Sequence, residues 1–149
     1  MTPDPLIVIE DALLELGRTN SDRRGYHAIL RRAGIDIERS GIVLLHRLRE
    51  LGPSRMSRLA EVIGVDISTA SRSVGRLVAA GYVERRPDPS DGRASLHSLS
   101  DKGEDACRRI QTARREWLVD VLAGFSAAEQ ADLARLLTRL VGKMASASD

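Results

Sequence analysis

The sequence predicts a mainly α-helical fold with a two-strand hairpin near its centre and helical extensions on both sides. Three observations lead there. Residues 57–64, Ser-Arg-Leu-Ala-Glu-Val-Ile-Gly, carry a short helical pattern closed by glycine. After a tight Gly64-Val65 turn, a second helical pattern opens at Asp66, runs to Ala80 and stops at Gly81, a residue type that takes the left-handed conformation past a helix end at little cost. Two strand patterns follow, residues 82–86 and 94–99, separated by the turn-rich, charged loop Pro87-Asp88-Pro89-Ser90-Asp91-Gly92-Arg93. Helix, turn, helix and a hairpin with an arginine at its tip make a winged helix-turn-helix.

The phase of the second helix gives that unit a use. At about 100° per residue, Ile67, Ala70, Val74 and Leu77 gather on one face, placed to pack on the first helix. Ser68, Arg72, Gly75 and Arg76 gather opposite, with Thr69 beside them. A helix that only fills a core has no need of an outer face of short hydroxyls and two arginines. Such a face fits the major groove of double-stranded DNA: small residues permit close approach, arginine bonds guanine edges in pairs, and hydroxyls reach bases or phosphates. A solvated amphipathic helix has the same phase, and the hairpin that follows is what favours DNA.

Residues 81–103, Gly-Tyr-Val-Glu-Arg-Arg-Pro-Asp-Pro-Ser-Asp-Gly-Arg-Ala-Ser-Leu-His-Ser-Leu-Ser-Asp-Lys-Gly, resemble the wing signature of the MarR family of bacterial transcriptional regulators. That signature runs Gly-Leu/Tyr-Val-x-Arg, then Asp-x-Arg, then Leu-Thr/Ser-x-x-Gly, and each fixed position is matched. Leu59-Ala60 and the run Asp66-x-Ser68-Thr69-x-Ser71-Arg72 also fit the family's helix pair. Gly92 departs from it, standing where a second basic residue is frequent, so the wing tip carries less charge than usual. The resemblance implies a dimeric winged-helix repressor that reads a pseudo-palindromic operator. It further implies an N-terminal dimerisation segment over residues 1–36, a DNA-binding lobe over 37–100 and C-terminal dimerisation helices over 101–149. Ser68, Thr69, Ser71, Arg72, Arg76, Asp91 and Arg93 are the expected DNA-binding residues. Arg93 is the candidate for minor-groove insertion, because a narrow groove concentrates negative potential. Asp91, on the same side of an extended strand, is placed to pair with Arg93 and aim it.

Composition sets the outer bounds. At 149 residues and 42% apolar content, the chain can bury a real core. Net charge is only +2, so the nucleic-acid signal lies in local placement and not in bulk charge. One Trp, one Phe and two Tyr are too few to stack a single strand. No apolar run reaches membrane-spanning length, and residues 1–10 lack a basic start and a small-residue cleavage site, so a cytoplasmic protein is expected. The single cysteine, Cys107, suits a reducing compartment.

In the N-terminal third, Leu6, Ile9, Leu13 and Leu16 recur at helical spacing, and residues 17–22 mark a weak point or break. Arg23-Arg24 and Arg31-Arg32 bracket Tyr26, His27, Ile29 and Leu30, which reads as a solvated basic face or, less simply, a phosphate- or ligand-facing patch. Residues 35–51 hold Ile42, Val43, Leu44, Leu45, Leu48 and Leu51, apolar enough for a largely buried helix that Gly52-Pro53 ends. Met56 falls where the resembled family has a short strand, and Ser57 is the natural N-cap of the next helix.

The C-terminal third predicts two helices joined at Gly124-Phe125. The first, from Asp101 to about residue 123, carries Cys107, Ile110, Ala113, Trp117 and Val121 on one stripe, widened by Leu118, Leu122 and Phe125. Ser126-Ala127-Ala128-Glu129 is a capping box. The last helix sets Leu133, Leu136, Leu137, Leu140, Val141 and Met144 on a broad apolar face. A lobe complete near Gly103 does not need this surface for itself. A second copy of the chain is the expected cover, and a hairpin folding back on its own domain is the alternative.

Other chemistries find little support. His27, His46 and His97 share no short ligand spacing, so no metal site is expected. No phosphate loop, nucleophile elbow or paired acidic motif suggests an enzyme or a cofactor. Cys107 invites comparison with cysteine-based oxidant sensors, but it sits on an apolar stripe where cysteine serves as a small hydrophobe. A winged-helix protein-interaction module is the remaining alternative; Arg72, Arg76 and Arg93, whose loss would mark it, are all present. The resemblance implies a small aromatic or lipophilic effector, for which Trp117, Tyr26, His27 and His46 are candidate lining residues.

Overall fold

The computed structural model describes residues 4–21 and 23–147, with side chains described over 4–18 and 25–147. In order, the elements are α1 (Pro5–Ser21), α2 (Arg23–Ala33), α3 (Arg39–Leu51), β1 (Ser54–Arg55), α4 (Met56–Ile63), α5 (Ile67–Ala79), β2 (Val83–Asp88), β3 (Asp91–Leu99), α6 (Asp101–Val121) and α7 (Ala127–Ala147). The strands form one antiparallel sheet ordered β1-β3-β2. The mainly helical winged-helix fold expected from the sequence is the one observed.

The chain divides into two compact units, residues 1–113 and 114–149. In the first, Leu44, Leu45 and Leu48 of α3, Leu59 of α4 and Val74 of α5 are fully buried and make the centre of the core. Burying each such side chain contributes about 1.5–3 kcal/mol, which is why the leucine-rich α3 is the element the helix pair and sheet pack around. Ile29, Leu30 and Ala33 of α2 and Ala106, Cys107, Ile110 and Ala113 of α6 extend the core. In the second unit, α7 has no buried residue, and Leu136, Leu137, Val141 and Met144 are exposed. The capping box at its start is formed: the Glu129 N–H donates to Ser126 Oγ at 3.3 Å, and the Ser126 N–H donates to Glu129 Oε2 at 2.8 Å.

Several boundaries differ from the sequence expectation. Gly17 lies inside α1, which continues to Ser21 before α2 opens at Arg23; Asp22, within the expected break, lies outside the described residues. α3 begins at Arg39, because Ile35 already reaches the core from extended chain, and Val43 and Leu51 face outward. β1 is Ser54–Arg55, so Met56 opens α4 instead of lying in a strand. Arg55, with extended φ −72° and ψ 155°, therefore holds the N-cap position in place of Ser57, and no side chain caps that end. On α6 the stripe is buried only as far as Ala113; Trp117 is half-buried, while Leu118, Val121 and Phe125 are exposed.

Candidate nucleic-acid interface

The helix-turn-helix is set by two glycines. Gly64 takes the left-handed conformation at φ +71°, which lets the Val65 N–H close onto the Ala60 carbonyl at 3.1 Å and ends α4. Gly81, at φ +80°, does the same for α5, with the Tyr82 N–H on the Leu77 carbonyl at 2.9 Å. α5 starts under a side-chain cap: Asp66 accepts the Thr69 N–H at 2.8 Å and the Thr69 hydroxyl at 2.6 Å. The Thr69 hydroxyl first, then its N–H, hold the Asp66 carboxyl below its usual range.

Ala70, Val74 and Leu77 face the core, as the phase requires. Ile67 does not: at 57% exposure it stands at the open first turn of α5, with no earlier turn to cover it. Ser68, Ser71, Arg72, Gly75 and Arg76 are exposed. Thr69 is half-buried with its hydroxyl proton committed to Asp66, and Arg72 Nη2 lies 3.4 Å from Thr69 Oγ1. Arg76 is not open to solvent alone, as the sequence implied. It donates to Glu38 Oε2 at 2.7 Å, across from the start of α3.

The wing is longer than its sequence pattern. β2 extends through Pro87 and Asp88, β3 begins at Asp91, and only Pro89-Ser90 turn between them. Arg93 thus lies just past the tip, within β3, exposed and without a carboxylate partner among the described residues. Asp91 does not pair with the Arg93 guanidinium. Its Oδ1 accepts the Arg93 backbone N–H at 3.1 Å, while its Oδ2 lies 3.9 Å from Arg55 Nη1. The contact of Asp91 with Arg93 is therefore to its backbone and not to its side chain.

Between α5 and the wing lies a cleft of about 620 Å³, lined by Ser57, Ser71, Gly75, Arg85, Arg93 and His97 among others. His97 is buried, and its Nδ1 has no hydrogen-bond partner among the described residues. Burial chiefly, and the Arg85 charge next, push its pKa below the usual histidine value against an opposing contact with the Ser54 backbone. The arginines lining the cleft are Arg55, Arg85 and Arg93, and of these Arg55 is engaged by Asp88. Arg85 is steadied by Ser95, whose Oγ accepts its Nε–H at 2.9 Å.

Sequence reasoning missed Arg85, Arg55 and Glu38 as parts of this face. Arg85 had a readable signal, since strand alternation sets it apart from Arg86. Arg55 and Glu38 act across the fold and carry no local signature. Of the residues proposed to line an effector site, Tyr26 has Arg39 over its ring at 5.8 Å, His27 is exposed, and His46 is exposed beside Glu50 at 3.8 Å. Trp117 belongs to the second unit.

Comparison with known proteins gives a consistent result. Residues 37–95 match the model of the MarR family. The uncharacterised HTH-type transcriptional regulator YxaD of Bacillus subtilis is 38% identical over 105 residues, which span 70% of this chain and 73% of that protein. The crystal structure of RV1404 from Mycobacterium tuberculosis superposes with a TM-score of 0.81 at 30% identity, covering 95% of this chain and 96% of that one. A mutant MarR from E. coli complexed with operator DNA superposes with a TM-score of 0.62 at 25% identity, over 87% and 96% of the two chains.

Proposed function

The chain belongs to the MarR family of DNA-binding transcriptional regulators, and from that premise we propose that it is a homodimeric, effector-responsive repressor of a pseudo-palindromic operator. The observation that carries this reading is the exposed face of α5 beside the wing. It presents Arg72 and Arg93 with no carboxylate partner among the described residues. A two-fold dimer would set its two α5 helices in successive major grooves, about 34–36 Å apart. Arg72 would bond base edges, Ser68 and Ser71 would reach bases or phosphates, and Arg76 would leave Glu38 for a phosphate. Thr69 and Asp91 would contribute by fixing the helix start and the Arg93 backbone. The solved operator complex of a relative supports the DNA partner; repression and an aromatic or lipophilic effector rest on the family resemblance.

The test separates base reading from groove reading. Arg72→Ala should cost roughly 1–3 kcal/mol on an operator selected from a random duplex library and little on a scrambled duplex. Arg93→Ala should weaken both duplexes and flatten the dependence of log affinity on log salt by about one unit. If Arg93→Ala binds both duplexes as the wild type does, the wing does not touch DNA and this mechanism fails.

Cys107 is better read as structural than as an oxidant sensor. It is buried on α6, and burial raises its thiol pKa above the usual value, with Arg49 opposing and Glu104 adding to the rise. A thiol so protonated is a poor nucleophile. Cys107→Ala should leave operator binding, and its indifference to mild peroxide, unchanged in a gel-shift titration. Release of the wild type by peroxide, with the mutant staying bound, is the contrary result.

A further inference from the structure

We propose that Arg55 and Asp88 are positioning residues that lock the wing to the helix-turn-helix, so that Arg93 meets DNA already placed. The inference rests on the reading of Arg93 as a DNA contact. Asp88 is a buried carboxylate, 7% exposed, at the last position of β2. Its Oδ1 accepts the Ser90 N–H at 2.9 Å and the Ser90 hydroxyl at 2.7 Å, which builds the turn. Its Oδ2 accepts Arg55 Nε–H at 2.7 Å and faces Arg55 Nη2 as well. The same guanidinium lies 3.4 Å from Ser90 Oγ and 3.9 Å from Asp91 Oδ2.

Arg55 is well placed for this because it ends β1 and immediately precedes α4. Whatever holds its guanidinium is therefore tied to the helix pair. β1 pairs only with Leu96 and His97 of β3, so the wing beyond Leu96 is a two-stranded ribbon. Such a ribbon is marginal on its own and free to swing. A turn closed by Ser90 alone would fold the ribbon without fixing its direction. The Arg55 fork adds the missing link, joining the far end of the wing to the start of α4. Asp91, which holds the Arg93 N–H, is drawn into the same cluster. The ordering of Arg93 is then settled on folding instead of at the moment of binding. The lock does not open at physiological pH. Ser90 first, through its hydroxyl and N–H, and then Arg55 hold the Asp88 pKa at about 2. Its stabilising effect is present above the ordinary carboxylate range and is lost only as pH falls towards that value.

The experiment is a double-mutant cycle on the full-length protein, using a library-selected operator and a scrambled duplex over a salt series, with melting curves for every variant. Asp88→Asn keeps the turn-building acceptor and removes the charge. It should weaken both duplexes roughly threefold to tenfold. Combined with Arg93→Ala, it should change affinity by less than about twofold, because there is no longer an arginine to place. Arg55→Gln, at a partly exposed site that leaves the core intact, should show the same dependence on Arg93 and carries the test if Asp88→Asn folds poorly. Losses that multiply independently of Arg93 overturn the proposal, as does full affinity of Asp88→Asn while Arg93→Ala is weakened. Wild-type binding by Arg93→Ala removes the DNA-contact reading first, and this inference with it.

Discussion

A chain ended after Phe125 is expected to sediment as a monomer and to lose operator affinity by roughly two to four orders of magnitude. The cut removes α7, whose residues are all at least partly exposed, Leu136, Leu137 and Val141 among its large apolar ones. α1 adds Leu6, Ile7, Val8, Ile9, Leu13, Leu14 and Leu16, also exposed. Exposed apolar side chains in such number on a helix mark an interface more often than a solvated face. A dimer holds its second recognition helix at high local concentration once the first is bound, and a monomer has no such gain. Sedimentation velocity at micromolar concentration, followed by titration of the selected operator, makes the measurement. A monomeric full-length protein, or a dimeric truncated one, refutes the assembly.

Gly103→Ala should lower stability by about 2–4 kcal/mol, the sum of overpacking and one compromised hydrogen bond. Gly103 lies in the first turn of α6, where a Cβ would come within 2.1 Å of the Tyr82 carbonyl oxygen and 3.2 Å of its carbon. That carbonyl already accepts the Ser100 N–H at 3.1 Å, and Ser100 Oγ accepts the Gly103 N–H at 3.1 Å. The crowding atom is backbone, so either α6 or the start of β2 must move. Thermal unfolding at fixed protein concentration should show a midpoint lowered by roughly 5–15 °C. A midpoint within about 2 °C of the wild type would mean that the two segments part at no cost.

Gly103 also illustrates how the fold could be read from the sequence. Its place in Leu99-Ser100-Asp101-Lys102-Gly103 was visible as a pattern, whereas the close approach that requires glycine is a tertiary fact. The α4–α5 pair was legible because helical period, Gly64 and Gly81 are local signals, and the Ser126–Glu129 box for the same reason. Pro87 argued for a loop because proline donates no hydrogen bond. It lies in β2 because that strand is at the edge of the sheet, where one side needs no donor. Ser57 had the right chemistry for a cap, but β1 delivers the chain so that the N-cap falls two residues sooner, at Arg55. Of the candidate site, the arginines and serines of α5 could be read from phase. The long-range ion pairs could not, since Glu38 is 38 residues from Arg76 of α5 and Asp88 is 33 from Arg55 of β1.

The Arg76–Glu38 pair gives the recognition helix a competitor of its own. In the proposed reading a phosphate would have to displace Glu38 from Arg76, an exposed ion pair worth up to about 1 kcal/mol. The exchange returns little for that contact by itself, and it leaves an unpaired carboxylate beside the duplex, repelling it. A stray encounter that engaged Arg76 alone would gain less by that amount. The swap would be favoured most when the proposed contacts of α5 and the wing form at the same time, so the pair would make a charge on this face depend in part on a proper fit.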